Sequence, residues 1–308
     1  MSENQVKRIT PRQLKSEYNS LGFVFVAIFV LSALIRIGYL ALVPILQNVS
    51  QITDWKAMDQ LFRLVTTFIL MIVPFMIYAR KKQINTAQLF SPCKSEAHSV
   101  ITLLVIGLAL NLLLTFVTGI ISMLLSFTDL QLVAEPMMLE GTLAVRTISV
   151  LRSVLIFPFC AEFMFRGICL KSFSRMGNYF AIFASSLLFA VIQSNPVYFI
   201  SSFVLGVFLC VVTMRFDSII PALVIHIFIN FQTLLLQQVP VKYSWIVGLS
   251  CIVVYVLAIL LTSRYRSNRI IIKKEADPLI LLRYFFTSGF IAATLILYLF
   301  FNQFMLGV

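Results

Sequence analysis

Runs of about twenty apolar residues, almost free of charge, follow one another along nearly the whole chain, and no other feature limits the fold as tightly. A helix needs about 20 such residues to cross the hydrocarbon core of a bilayer. Within lipid, each backbone N–H and C=O must find its partner inside the protein, and a helix supplies those partners within the segment itself. Nine runs are distinguishable, near 21–46, 61–78, 100–126, 143–171, 178–193, 196–214, 219–236, 243–262 and 279–302. The fifth and sixth are nearly continuous, joined by Gln193-Ser194-Asn195-Pro196, and a proline there fits the turn of a helical hairpin better than the interior of one long helix. The expected fold is all-α, a polytopic integral membrane helical bundle of about nine transmembrane helices. Hydrophobic residues make up 60% of the chain and charged residues 12%, whereas a soluble domain carries about 25% charged residues. So few charges cannot coat a water-facing surface, which argues against a soluble enzyme.

The net charge of +12 would suggest nucleic acid in a soluble protein. Here the basic residues fall on alternate loops, which instead reports orientation. Lys7, Arg8, Arg12 and Lys15 precede the first run. Arg80, Lys81, Lys82 and Lys94 follow the second, Lys171 and Arg175 the fourth, and Arg215 the sixth. Arg264, Arg266, Arg269, Lys273 and Lys274 follow the eighth. The opposite loops hold Asp54, Asp59, Asp129, Glu135 and Glu140, with Lys56, Arg63 and Lys242 as their basic company. This asymmetry predicts a plasma-membrane protein with a cytoplasmic N-terminus and the C-terminus outside. The basic loop 263–278 is expected to lie on an anionic leaflet, so membrane lipids are expected partners and nucleic acid is not. No internal repeat, low-complexity segment or cleavable signal peptide is expected: residues 1–20 are polar, and no small-residue cleavage site ends the first apolar run.

Of the five cysteines, Cys160, Cys169, Cys210 and Cys251 lie in apolar stretches, Cys93 lies in a loop, and none forms a CxxC pair. They read as small buried hydrophobes rather than a disulfide framework or a thiolate metal site. Charges within spans are costly and mark either pairing or function. Arg36 lies well inside the first run and is expected to pair with an acidic group or to snorkel; Arg146 and Arg152 are expected to reach headgroups near the outer end of the fourth. Glu162 and Arg166 stand at i and i+4, with the glutamate N-terminal, so their side chains can meet on one helix face. That pair is either a self-neutralising structural ion pair or a general base with its partner. An arginine beside a carboxylate lowers its basicity, which counts against the second role. His226 and Asn230 also share a face at i and i+4, as a hydrogen-bonded core pair or as part of a site. Two such ligands fall short of the three or four a zinc ion takes, so no metal or other cofactor is expected.

The stretch Pro158-Phe159-Cys160-Ala161-Glu162-Phe163-Met164-Phe165-Arg166-Gly167 resembles the first motif, P-x-x-E-E-x-x-x-R-G, of the CAAX protease and bacteriocin-processing family, also called the Abi family. The family's second motif, F-x-x-x-H, aligns with Phe189-Ala190-Val191-Ile192-Gln193, and its third, H-x-x-x-N, with His226-Ile227-Phe228-Ile229-Asn230. Three motifs in order at matching spacing are fairly specific. The resemblance covers about 143–237 and implies a CAAX-protease-like core there, with three membrane spans before it (1–142) and two after it (238–308). It implies intramembrane endopeptidase chemistry carried by Glu162, Arg166, His226 and Asn230, with the histidine and asparagine stabilising the oxyanion. Two positions depart from the pattern. Ala161 replaces the first glutamate and Gln193 replaces the second-motif histidine, the two groups that activate the attacking water in the active family. Alanine has no proton acceptor and a neutral amide is not a base, so the chemistry lacks its two working groups. A single glutamate followed by Phe-x-Phe-Arg resembles the non-catalytic lysostaphin-resistance branch of the family, whose role is to bind a cell-wall enzyme.

The resemblance therefore implies a catalytically impaired member acting as a scaffold, immunity or regulatory partner of a membrane or cell-wall protein. The alternative it leaves is a working endopeptidase that uses Glu162. A transporter or channel is a further alternative, opposed by the absence of an inverted repeat. Counted from the inner helix ends at 1.5 Å per residue, His226 lies roughly 10 Å deep and Gln193 more than roughly 20 Å deep. For the motifs to meet, the fifth span must tilt or begin before Asn178. The loop charges carry a test of their own: a reporter active only in the cytoplasm and fused after Val308 is expected to stay silent, and a strong signal there would remove one span.

Overall fold

The computed structural model describes residues 10–49, 54–92, 97–127, 141–193, 196–264 and 277–301. Every regular element among them is helical. In chain order these are α1 (Pro11–Val49), α2 (Trp55–Lys81), α3 (Ala97–Leu125), α4 (Leu143–Phe173), α5 (Asn178–Ile192), α6 (Pro196–Phe216), α7 (Ile220–Gln238), α8 (Ser244–Arg264), α9 (Pro278–Phe286) and α10 (Gly289–Ile296). A short 3₁₀ turn, Ala87–Phe90, follows α2. Cys93, Asp129, Glu135, Glu140, Val308, the Ser194-Asn195 part of the expected hairpin turn and most of the basic 263–278 segment lie outside the described residues.

Six of these helices, α1 to α4, α6 and α7, are long and apolar enough to cross a bilayer, and α9 with α10, bent by 67°, makes a seventh if the two count as one span. Helix α5 and the apolar part of α8, Val247–Leu261, are shorter. With 15 residues, α5 rises only about 22 Å, against a hydrocarbon core of about 30 Å. Length and composition thus support six or seven crossings, and the nine expected from the sequence are reached only by counting α5 and α8 as well.

Helix α2 starts earlier than its hydropathy implied. The Asp54 side chain accepts the Ala57 N–H at 2.9 Å and so caps the first turn. It also accepts the Thr142 hydroxyl at 2.6 Å. Thr142 in turn caps α4 by accepting from Val145 N. The Thr142 hydroxyl and the Ala57 N–H hold the Asp54 carboxyl below its ordinary pKa, and the starts of α2 and α4 are tied together. The early start also places Asp59 and Arg63 inside the helix rather than in a loop. There Asp59 supplies the partner of Arg36, at 3.3 Å, and binds Arg63 one turn on, at 2.7 Å.

The core is built around α4. Its residues Glu162 to Cys169 are all buried, as expected of a helix enclosed on every side. Phe165 lies between Phe25 of α1 and Phe189 of α5. Beyond the end of α4, Tyr18, Phe173, Phe180 and Phe285 join α1, α5 and α9 with ring centroids 5.5–6.1 Å apart, mostly edge to face, which their quadrupoles favour. A smaller apolar cluster, including Leu209, Ile225 and Ile229, packs α6 against α7 with α3 alongside. Polar links cross the bundle where apolar packing alone gives no directional hold: Asn111 donates to Gln232 at 2.8 Å and to Thr233 at 3.1 Å.

Helices α1 and α10 come into backbone contact. A Cβ added at Gly22 would lie 2.6 Å from the Phe290 carbonyl carbon and 2.7 Å from Ile291 N. Thr294 donates to Gly22 O, Ser288 to Asn19 and Tyr298 to Phe25 O. Gly248 in α8 has open space at its Cβ position. Gly22→Ala is therefore expected to destabilise by about 1–3 kcal/mol, as overpacking does. Gly248→Ala is expected to be neutral or to gain up to about 1 kcal/mol of helix propensity. Thermal melts of the two variants in detergent separate these outcomes.

Candidate functional site

The first motif lies in a helix of mixed register. Within α4, the stretches Leu151–Ile156 and Glu162–Cys169 are π-helical, on either side of an α-helical turn at Phe157–Ala161. Such widened turns recur at functional sites because they shift side chains around the helix axis and leave carbonyls for other partners. Pro158 makes one of these carbonyls available. In the π register Phe157 N–H bonds Arg152 O, so the next N–H would take Ser153 O, but proline has none to give. A buried carbonyl needs a partner, and Asn230 of α7 supplies it, donating Nδ2 to Ser153 O at 2.9 Å. In the second π stretch Ser185 of α5 donates to Phe165 O at 2.7 Å.

Glu162 is wholly buried, and an arginine and a histidine meet on one of its oxygens. Arg166 Nη1 lies 3.0 Å from Oε1, and His226 Nδ1 lies 2.6 Å from the same atom. A carboxylate only accepts, so Nδ1 carries the proton and the imidazole orientation is fixed. The Arg166 contact is ionic rather than directional, since Nη1 has no hydrogen bond of good geometry. Arg166 also donates Nη2 to Gly206 O at 3.3 Å, and its guanidinium lies 4.5 Å from the centroid of the Phe189 ring, a cation–π contact. The same ring meets His226 edge to face at 5.9 Å. Gly206 is needed for this arrangement: a Cβ there would lie 3.0 Å from Ser186 Cβ, so any larger residue would push α6 away from α5 and carry its carbonyl off Arg166.

Glu162, Arg166 and His226 are thus in direct contact, and Asn230 sits one turn along α7, holding the α4 backbone. Ala161 is buried beside them with no exposed surface. Gln193, at the C-terminal end of α5, makes no hydrogen bond with these four among the described residues. The second motif touches the other two through its first residue, Phe189, and not through a hydrogen bond of Gln193. Helix α5 begins at Asn178, and Phe189 spans the distance to both Arg166 and His226. The sequence alone does not show that the Phe189 ring, the Gly206 carbonyl and the Ser153 carbonyl contribute. Only the last had a visible signal, in Pro158. No metal-binding group of three or more His, Cys, Asp or Glu residues occurs among the described residues.

Glu162 Oε2 and Arg166 Nε are buried without a hydrogen-bond partner among the described residues, so the pair carries an uncompensated desolvation cost. Removing one member of a buried pair typically costs about 3–5 kcal/mol, because the survivor's charge is stranded, whereas removing both can be nearly neutral. Glu162→Ala or Arg166→Ala alone is expected to lower the melting temperature and the abundance of the protein. Glu162→Gln combined with Arg166→Met is expected to recover much of both, since the glutamine oxygen still accepts His226 Nδ1–H. Melts of the three variants check this. A Glu162→Ala protein that melts like the parent would show that the pair does not hold the fold.

Residues 143–232 match the family described as type II CAAX prenyl endopeptidase Rce1-like. No curated protein matches the chain, and no solved structure does. The match covers α4, α5, α6 and most of α7, the helices that bring Glu162, Arg166, Phe189, Gly206, His226 and Asn230 together. The chain is thus a multi-pass membrane protein, with helices long and apolar enough to span a bilayer, whose segment 143–232 matches the Rce1-like family of CAAX prenyl endopeptidases.

Proposed function

We propose that this protein is a catalytically impaired member of the family that works by binding, as a scaffold, immunity or regulatory partner of a membrane or cell-wall protein in the plasma membrane, with its N-terminus in the cytoplasm. The observation that carries this reading is the commitment of Glu162. Its carboxylate has no exposed surface and holds Arg166 and His226 through one oxygen, beside an alanine where the family's first motif has its other glutamate. General-base catalysis contributes about 10²–10⁴-fold, and neither Ala161 nor Gln193 can supply it. In this reading Glu162, Arg166, His226 and Asn230 preserve the architecture of the family's site without its reaction. The likeness to the lysostaphin-resistance branch supports the same conclusion.

One observation favours a second reading, a working endopeptidase. Glu162 Oε2 has no hydrogen bond among the described residues, leaving it free to hold a water while His226 orients the carboxylate through Oε1. The test is a cleavage assay of the purified protein on a prenylated CAAX peptide, with Glu162→Gln as the reference. Under the first reading, parent and variant give equal background rates. Ala161→Glu alone stays inactive, and Ala161→Glu with Gln193→His is the combination able to gain turnover. Cleavage by the parent that Glu162→Gln abolishes would establish the second reading instead.

A further inference from the structure

The 3₁₀ turn that follows α2 is folded into the bundle rather than laid across its end. Leu89 is buried, and its side chain lies on Gly167 of α4. A Cβ added at Gly167 would meet Leu89 Cδ1 at 2.9 Å and Glu162 O at 3.7 Å. Leu89 O accepts the Ile219 N–H at 2.9 Å, at the entry to α7. Phe90 stacks on Phe159 and Phe163, with ring centroids 6.1 and 6.5 Å away. Phe159, Phe163 and Gly167 stand four residues apart, so the turn covers one strip of α4 beside Glu162 and Arg166. From there it reaches α7, the helix that carries His226. Helices α4 and α7 pack closely along 151–161. The turn is wedged in beyond that packing, toward the end of α4 that carries Lys171 and Arg175.

The turn is built as a unit and is lightly tied to its surroundings. Asn85 Oδ1 accepts from Ala87 N and Gln88 N at 3.1 and 3.4 Å, and the Ser91 hydroxyl donates to Gln88 O at 2.8 Å. Among the described residues, the bond from Ile219 N is the one hydrogen bond between residues 85–91 and another helix. At the base of the turn Gln83 has a φ of 54°, and Ile84 N bonds Ala79 O at 2.9 Å, a left-handed cap on α2. Hinges are element-terminal positions of this kind. Next to the covered strip, Glu162 Oε2 and Arg166 Nε are buried without hydrogen-bond partners among the described residues. Keeping such atoms from water is unfavourable, whereas burying Leu89 is favourable. Seating the turn therefore sets one leucine against two unhydrated polar atoms.

We propose that the turn Ala87–Phe90 is a plug: seated on Gly167 it keeps water from Glu162, and by withdrawing about Gln83 it admits water. Leu89 is the part that closes the seam, and Gly167 leaves room for it. The plug acts in the same way under either reading of Glu162. In a binding protein it keeps the ion pair dry and its helices fixed. In an endopeptidase its withdrawal admits the water that Oε2 holds.

Two measurements on the detergent-purified full chain test this. Hydrogen exchange of the Ile219 amide reports release of Leu89 O, and hydroxyl-radical oxidation within 159–169 reports water at the site. Leu89→Ala is expected to speed exchange at Ile219 about tenfold or more, as a local opening, and to raise the oxidation severalfold, with exchange at Ile229 unchanged. Gly167→Ala, whose methyl pushes Leu89 Cδ1 aside, is expected to move both readouts the same way but less. Leu281→Ala is the control: it removes a buried leucine of α9 and is expected to lower the Tm while leaving both readouts at the parent level. Equal rises in Leu281→Ala and Leu89→Ala would show general loosening and overturn the proposal. Unchanged exchange at Ile219 in Leu89→Ala overturns it too, as does faster exchange there without added oxidation, which would make the turn mobile but not a plug. If Leu89→Ala does not fold, Leu89→Val and Gly167→Ala decide the matter in the same terms.

Discussion

A carboxylate with no access to water sits at the centre of this bundle, and the helices around it are arranged to make that tolerable. An isolated charge at mid-bilayer costs about 2.5–3.5 kcal/mol on insertion scales, and Glu162 is met by a guanidinium and an imidazole. Arg166 arrives from the same helix and His226 from α7. Each is then fixed from elsewhere: Arg166 by the Phe189 face and the Gly206 carbonyl, and His226 by the Phe189 ring. One carboxylate thereby sets the relative positions of α4, α5, α6 and α7, the span of chain that matches the family. The pair is not fully satisfied, since Arg166 Nε and Glu162 Oε2 lack hydrogen-bond partners among the described residues. Its contribution is a defined arrangement of helices rather than a large gain in stability.

The backbone bends to the same end. Two π-helical stretches in α4 give up regular hydrogen bonding, and Pro158 between them leaves Ser153 O to be capped by a side chain from another helix. Asn230 therefore serves the α4 backbone while His226, one turn away on the same face, serves the α4 side chain. In lipid, where burying apolar surface does not drive helices together, such polar links and close backbone approaches carry much of the specificity. The Asn111 contacts to α7 and the tie between Asp54 and Thr142 are of the same kind.

Composition and hydropathy were enough to read the helical membrane class, and the i, i+4 spacing was enough to bring Glu162 to Arg166. The sequence placed His226 in a motif but could not say that its ring would face Glu162, because that contact joins two helices through their rotation and depth. The same limit hid Asp59 as the partner of Arg36. Hydropathy began the second run near residue 61, whereas the Asp54 cap starts the helix at Trp55 and draws two charged residues inside it. Phe189 was visible only as an aligned letter, since aromatic contact with a guanidinium has no spacing signature between helices. The number of crossings stayed ambiguous for a physical reason as well: α5 is apolar but has only 15 residues, and a helix buried among others need not match the bilayer thickness.

The joining of α1 to α10 has a consequence for how the molecule is made. Gly22 receives the Thr294 hydroxyl, and Asn19 that of Ser288, across separations of 272 and 269 residues. Helix α1 is synthesised and inserted long before α10 exists, and contacts this distant in sequence form late. In the interval Phe25 has Phe75 of α2 and Phe165 of α4 to pack on, whereas Gly22 and Asn19 wait for their partners. The seam of α1 that carries Asn19 and Gly22 is therefore closed only when a helix translated some 270 residues later arrives beside it.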